Sequence, residues 1–112
     1  MNFYDKVNEM IASFKQMDEY KKYIELKEKI KKNQEVSTKL KEFKDKQQSH
    51  QLEFINTGKL SDEHKGELEN LYSILIQNED VRKFLEYEMK LDIYLADMQK
   101  AIGDGIKEML EF

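Results

Sequence analysis

The last third of the chain carries an apolar pattern that only a long helix places on one side. From residue 81 to the C-terminus, apolar residues recur in alternating steps of three and four, with Glu88 and Gly105 as the exceptions. This is the a/d heptad pattern of helices that pack against each other. The pattern predicts a helix from about residue 79 to residue 112, about 50 Å long at 1.5 Å per residue.

A helix of that length extends beyond the body of a compact chain of this size. A folded chain of 112 residues has a radius of gyration of about 13 Å, and hence a diameter near 35 Å. A second copy is the usual cover for an exposed apolar seam, because closed symmetric homo-oligomers predominate. We therefore predict a dimer or larger homo-oligomer. Its predicted interface consists of Phe84, Leu91, Leu95, Met98, Ile102 and Met109.

Two glycines lie inside the predicted C-terminal helix. Gly103 and Gly105 each disfavour a helix by about 1 kcal/mol relative to Ala. The sequence leaves open whether they kink the helix, fray its end or allow a close helix crossing.

The remaining sequence also predicts helices. Polar residues that favour helix starts stand at Asp18, Asn33, Ser61 and Asn78, and Gly58 suits a helix end followed by a turn. The chain has no Pro and only 4 Gly, which disfavours an all-β fold because strands need turns. We predict an all-α fold: a single helical domain over residues 1–112 with about five helices, arranged as antiparallel helical hairpins with a long C-terminal helix. The chain would oligomerise through coiled-coil-like seams.

The predicted third helix has two polar residues where its spacing calls for apolar ones. Its seam positions are Val36, Leu40, Phe43, Gln47, His50 and Phe54. A polar seam residue at Gln47 or His50 needs a hydrogen-bond partner or contact with water. Two interpretations stay open: a polar seam that selects one helix pairing, or a seam that opens to solvent midway.

Charge is distributed unevenly along the chain. Residues 15–46 contain 11 Lys and 7 acidic residues, whereas residues 61–112 contain 6 basic and 13 acidic ones. In one interpretation, the basic half and the acidic half pack against each other and keep solvated outer faces. In the other, the basic half provides a surface that binds RNA or an acidic partner. The chain has only one Arg, which disfavours sequence-specific contacts to bases. The lysines of this candidate basic surface are Lys22, Lys29, Lys32, Lys39 and Lys46.

Residues that would carry catalysis or bind a cofactor are sparse. The chain has no Cys, which excludes disulfides, cysteine-bound zinc and iron–sulfur clusters. The two histidines, His50 and His64, form no metal-ligand or catalytic motif, and we interpret His64 as a surface residue. We predict no catalytic residues, no metal site and no cofactor. No apolar run approaches the roughly 18 residues of a membrane span, so we expect no membrane insertion and a cytoplasmic location.

The order of helix starts and apolar spacings resembles the YlbF/YmcA family of small helical bacterial regulators. The resemblance rests on four short stretches and on the Gly58 turn, and it covers nearly the whole chain. The stretches are Glu19–Tyr23, Asn33–Glu35, Phe43-x-x-x-Gln47 and Asn78–Leu85.

The resemblance implies a non-enzymatic cytoplasmic protein that assembles with its own copies or with paralogues. Relatives act in a complex that modulates competence, biofilm formation and sporulation, and that is tied to mRNA processing by a membrane-anchored endoribonuclease. Family members in an iron–sulfur complex use cysteines, which this chain lacks.

Three functions are therefore expected, and the sequence favours them in the following order. The first is a regulatory adaptor that acts through homo- or hetero-oligomeric helix packing. The second is an RNA-binding helical protein that uses the lysines of residues 15–46. The third is a ligand carrier of the helical-bundle type, with a buried pocket near Gln47 and His50.

Overall fold

The computed structural model describes residues 2–59 and 61–112, and these residues form six helices and no strand. The all-α prediction is confirmed. The helices are α1 (Phe3–Lys15), α2 (Asp18–Lys31), α3 (Gln34–Thr57), α4 (Asp62–Leu75), α5 (Glu79–Gly105) and α6 (Lys107–Leu110).

Three of the helix starts use the side-chain caps that the sequence predicted. The side-chain oxygens of Asn33, Ser61 and Asn78 each accept the backbone N–H three residues further on, at 3.3, 3.2 and 3.1 Å. Each cap satisfies a backbone donor that the first helical turn leaves without a partner. At the other end of α3, Gly58 adopts the left-handed conformation with φ 73° and its N–H donates to the Phe54 carbonyl. This turn starts the connection to α4.

The C-terminal helix is shorter than predicted. We expected one helix from about residue 79 to residue 112, but α5 ends at Gly105 and the four-residue α6 follows. Ile106 leaves the helical conformation, with φ −119° and ψ 28°. A Cβ added at Gly103 would lie 3.9 Å from Leu110 Cδ1, so the chain turns back towards α5 after the break. Gly103 itself remains helical, and α5 measures about 40 Å.

The chain forms two compact units. One contains the residues up to Ile24 together with Phe84–Phe112, and the other contains Glu25–Lys83. We call them the terminal unit and the central unit. The single domain over residues 1–112 stays a prediction.

In the terminal unit, the first turns of α2 run antiparallel to α5. Glu19 contacts Tyr94, and one turn later Tyr23 contacts Glu88. The Tyr23 ring also stacks on Phe84, with ring centroids 4.6 Å apart and 21° between the planes. Offset stacking of this kind adds to the stabilisation from burial alone.

The central unit is built around an antiparallel hairpin of α3 and α4. Its paired positions lie at similar distances on either side of the Gly58 turn: Glu53 contacts His64, and Lys46 contacts Glu67. The apolar residues buried in this unit are Leu26, Ile30, Leu40, Phe43, Leu75 and Val81.

Candidate interaction surfaces

A methionine-rich groove lies between α1 and α5 in the terminal unit. Its volume is about 360 Å³. Met10, Phe14 and Met17 follow each other in steps of four and three, so α1 and the turn after it present them on one side. We call this feature the α1–α5 groove, and it is lined by Met10, Ser13, Phe14, Met17, Tyr94, Asp97 and Met98. Methionine side chains are flexible and adapt to partners of different shape.

Two hydrogen bonds between tyrosine and glutamate fix α2 to α5 within the terminal unit. The Tyr94 hydroxyl donates to Glu19 at 2.8 Å, and the Tyr23 hydroxyl donates to Glu88 at 3.5 Å. The bond from Tyr94 lowers the pKa of Glu19 and raises the pKa of Tyr94. Burial, followed by the Glu88 charge, raises the pKa of Tyr23 to about 12. The wall of the groove that carries Tyr94 is therefore held in place before any partner arrives.

The residues of the predicted oligomer interface differ in their exposure to solvent. Phe84 and Leu91 are only 5% and 6% exposed, because they pack within the chain. Most of their apolar surface is covered within the chain, and their participation in an interface between copies stays a prediction. Leu95 and Ile102 are 42% and 50% exposed. They lie seven residues apart, about two turns, and so share one face of α5.

Two further predicted interface residues lie beside this face. Met98 is half-buried and lines the α1–α5 groove. Met109 is exposed but lies on α6, beyond the end of α5, so it does not continue the same helical face. We use the name apolar stripe for Leu95, Met98 and Ile102 on α5. Their participation in an interface between copies stays a prediction.

The two residues of the predicted polar seam have different environments. Gln47 is exposed, whereas His50 is only 7% exposed. His50 Nδ1 is buried and has no hydrogen-bond partner among the residues that the structure describes. Beside them is a groove of about 420 Å³ that is open to solvent, and it is lined by Gln47, His50, Gln51, Phe54 and Leu68. The ligand-carrier hypothesis expected a buried pocket here, and the structure has this open groove instead.

His64 is a functional candidate that the sequence interpretation missed. Its ring lies parallel to the His50 ring, with centroids 4.6 Å apart and 9° between the planes. Its Nδ1 lies 2.7 Å from Glu53 Oε2. The interpretation of His64 as a simple surface residue is therefore incomplete. The Gly58 turn was a signal that could have found this contact, because a hairpin brings together residues on either side of its turn.

The lysines of the candidate basic surface are not equivalent. Lys39 pairs with Glu35 at 3.4 Å, and Lys46 contacts Glu42 at 3.5 Å and Glu67 at 3.7 Å. Lys22 lies in the terminal unit, with its Nζ 5.9 Å from the centre of the Tyr87 ring. The last two, Lys29 and Lys32, are exposed in the central unit.

Two other features, a metal-ligand cluster and a membrane-spanning helix, are absent from the part of the chain that the structure describes. Within residues 2–59 and 61–112, no three His, Asp or Glu side chains are grouped so as to hold a metal ion. In the same ranges, no helix is both long enough and apolar enough to cross a membrane.

Comparison with known proteins identifies the family. Residues 3–107 match the sequence model of the family described as "Control of competence regulator ComK, YlbF/YmcA". The chain belongs to the YlbF/YmcA family. This confirms the resemblance inferred from helix starts and apolar spacings, and the family description names regulation rather than a reaction.

Curated relatives of this YlbF/YmcA chain match it almost from end to end. A UPF0342 protein of Symbiobacterium thermophilum is 33% identical over 109 residues, which is 97% of each chain. A UPF0342 protein of Halothermothrix orenii is 31% identical and covers 96% of this chain and 91% of its own length. A third, from Clostridium tetani, is 30% identical over all 112 residues and 97% of its own length.

Proposed function

We propose that this YlbF/YmcA chain is a regulatory adaptor that works by packing its terminal unit against a second copy of itself. The contact surface would be the apolar stripe together with the adjoining α1–α5 groove. The family description, which names control of a competence regulator, supports a regulatory role. The mechanism of self-association rests on the surface of α5.

The observation that carries this proposal is the exposure of Leu95 and Ile102 beside a groove lined by methionines. Contiguous exposed apolar surface on a small domain marks a binding site more often than scattered single residues do. Full burial of a fully exposed leucine or isoleucine contributes about 1.5–3 kcal/mol, and Leu95 and Ile102, which are 42% and 50% exposed, would each contribute about half of that. Covering the stripe on two copies therefore supplies a substantial part of the free energy of a dimer.

The same surface suits related chains as well as identical copies. Methionine-rich surfaces repack around different partners, so we extend the proposal to paralogous family proteins. The family membership supports a further extension, in which the assembled adaptor joins an endoribonuclease complex that processes mRNA. Both extensions depend on the α5 surface.

A pair of isoleucines on α5 provides the test and its matched control. Ile102 is 50% exposed on the apolar stripe, and Ile93 is 54% exposed about two and a half turns away, on the opposite face. Burying a carboxylate in an interface costs several kcal/mol. We therefore expect Ile102→Glu to reduce the mass measured by light scattering to that of one chain, 13.5 kDa, and Ile93→Glu to leave the oligomer intact. Equal behaviour of the two variants would refute the proposed surface.

RNA binding is the alternative function, and the geometry favours it less. Glutamates lie within ion-pair distance of Lys39 and Lys46, which offsets part of the positive charge that phosphates require. A titration against single-stranded RNA at low and high salt separates the two functions. Tight binding with a steep salt dependence would favour the RNA alternative.

A further inference from the structure

The central unit contains a pair of stacked histidines whose role the adaptor proposal does not explain. The His50 and His64 rings are parallel at 4.6 Å, and they join the last turns of α3 to the first turn of α4. Histidine is the side chain that changes charge near neutral pH. The protonation state of this pair therefore bears directly on the α3–α4 contact.

The two rings differ at Nδ1: that of His64 has a hydrogen-bond partner, and that of His50 has none among the described residues. His64 Nδ1 faces Glu53 Oε2 at 2.7 Å, and because a carboxylate only accepts, this nitrogen carries the hydrogen. His50 is more than nine-tenths buried, and its Nδ1 has no partner among the described residues. A single positive charge on His64 is compatible with this arrangement, since Glu53 balances it.

The charged residues one helical turn from His50 or His64 on their own helices already have other partners. On α3 they are Lys46 and Glu53, on either side of His50, and on α4 the residue is Glu67, three positions after His64. Glu53 already contacts His64, and Glu67 already contacts Lys46 at 3.7 Å. A proton on His50 thus places a second positive charge against His64 in a buried position.

We propose that the His50–His64 pair is a pH-sensitive latch on the α3–α4 hairpin. The pair keeps the end of the hairpin closed while it carries no more than one proton. Protonation of both rings places like charges 4.6 Å apart, one of them on a buried ring whose Nδ1 has no partner among the described residues, and the end of the hairpin opens. This latch is independent of the α5 surface and goes beyond the proposed adaptor function.

Amide hydrogen exchange measured by NMR tests the latch on the intact chain. The measured quantity is the protection of backbone amides from exchange in the last two turns of α3 and the first two turns of α4. It is followed from about pH 7.5 to about pH 5.5. Rates are corrected for the intrinsic pH dependence of exchange. If opening takes up one proton, its equilibrium constant rises by up to about tenfold for each pH unit of acidification. Protection elsewhere in the chain should change much less.

The matched variant is His50→Phe, which keeps a flat ring against His64 but cannot be protonated. In this variant, we expect the amide protection of the α3–α4 hairpin to stay constant over the same pH range. A parallel loss of protection in wild type and variant would overturn the latch, and so would constant protection in the wild type.

A second measurement keeps the test decisive if the variant does not fold. The ring proton shifts of His50 in the wild-type chain report its own protonation. A titration midpoint that coincides with the loss of hairpin protection supports the latch. Complete titration of His50 without any loss of protection overturns it.

Discussion

The hydroxyl of Tyr94 on α5 and the carboxylate of Glu19 on α2 form a 2.8 Å hydrogen bond between residues 75 positions apart in sequence. This bond closes the terminal unit beside the α1–α5 groove. It also changes the acidity of both groups, because the pKa of Glu19 falls and that of Tyr94 rises. The pairing is therefore open to a test by pH as well as by mutation.

Removing the Tyr94 hydroxyl should destabilise the chain in a pH-dependent way. We expect Tyr94→Phe to lower the Tm by a few degrees near neutral pH. The Glu19 pKa is lower in the folded state, so the bond stabilises the fold above the unfolded pKa and is lost as pH falls through the folded pKa. Thermal unfolding followed by circular dichroism at about pH 7 and about pH 3 checks this. A Tm difference that persists undiminished in acid would contradict the prediction.

Tyr23 should make the chain sensitive to alkali. Its folded pKa is about 12, against about 10 for an unfolded tyrosine. The folded pKa is the higher one, so the stabilisation is complete below about pH 10 and is lost between about pH 10 and about pH 12. The urea midpoint of the wild type should therefore fall relative to that of Tyr23→Phe between about pH 9 and about pH 11. A constant gap between them at both pH values would argue against this environment.

Phe84 should behave as a core residue rather than an interface residue. It is buried and stacks on Tyr23. We expect Phe84→Ala to lower the free energy of unfolding by about 3–5 kcal/mol at every protein concentration, as for other buried phenylalanines. Denaturant unfolding over a range of concentrations distinguishes this from a loss of oligomer, which depends on concentration. A loss of stability that disappears on dilution would show that Phe84 contributes to a contact between copies.

Replacing Gly58 or Gly66 with alanine should change the free energy of unfolding in opposite directions. Gly58 has φ 73°, and Gly66 lies inside α4; an added Cβ meets nothing within 4 Å at either position. Only backbone preference then differs between them. Gly58→Ala should cost about 1 kcal/mol, because a left-handed conformation strains residues that have a Cβ. Gly66→Ala should stabilise the chain by up to about 1 kcal/mol through helix propensity. Equal signs in denaturant unfolding would contradict the assigned turn.

The helices and their starts could be predicted because their determinants are local. Asn33, Ser61 and Asn78 cap the helices that follow them, and each was recognisable from its own few neighbours. The end of α5 could not be fixed in this way. Two glycines near it permit several outcomes, and the turn of Leu110 towards Gly103 depends on contacts that a heptad pattern does not encode.

The surface was only partly predictable for a related reason. The heptad spacing grouped Phe84 and Leu91 with Leu95 and Ile102, since all four lie at seam positions. Spacing shows which residues share a face but not which part of that face another helix of the same chain covers. Likewise, His50 stood out as a polar seam residue, whereas its stack on His64 depends on how the α3–α4 hairpin closes.

The molecular mass of the wild-type chain in solution tests the central claim most directly. Sedimentation equilibrium over about 1–100 μM covers the affinities expected for a modest helical interface. We predict a mass of at least two chains of 13.5 kDa at the upper end of that range, decreasing on dilution. A mass of 13.5 kDa at every concentration would contradict self-association through α5.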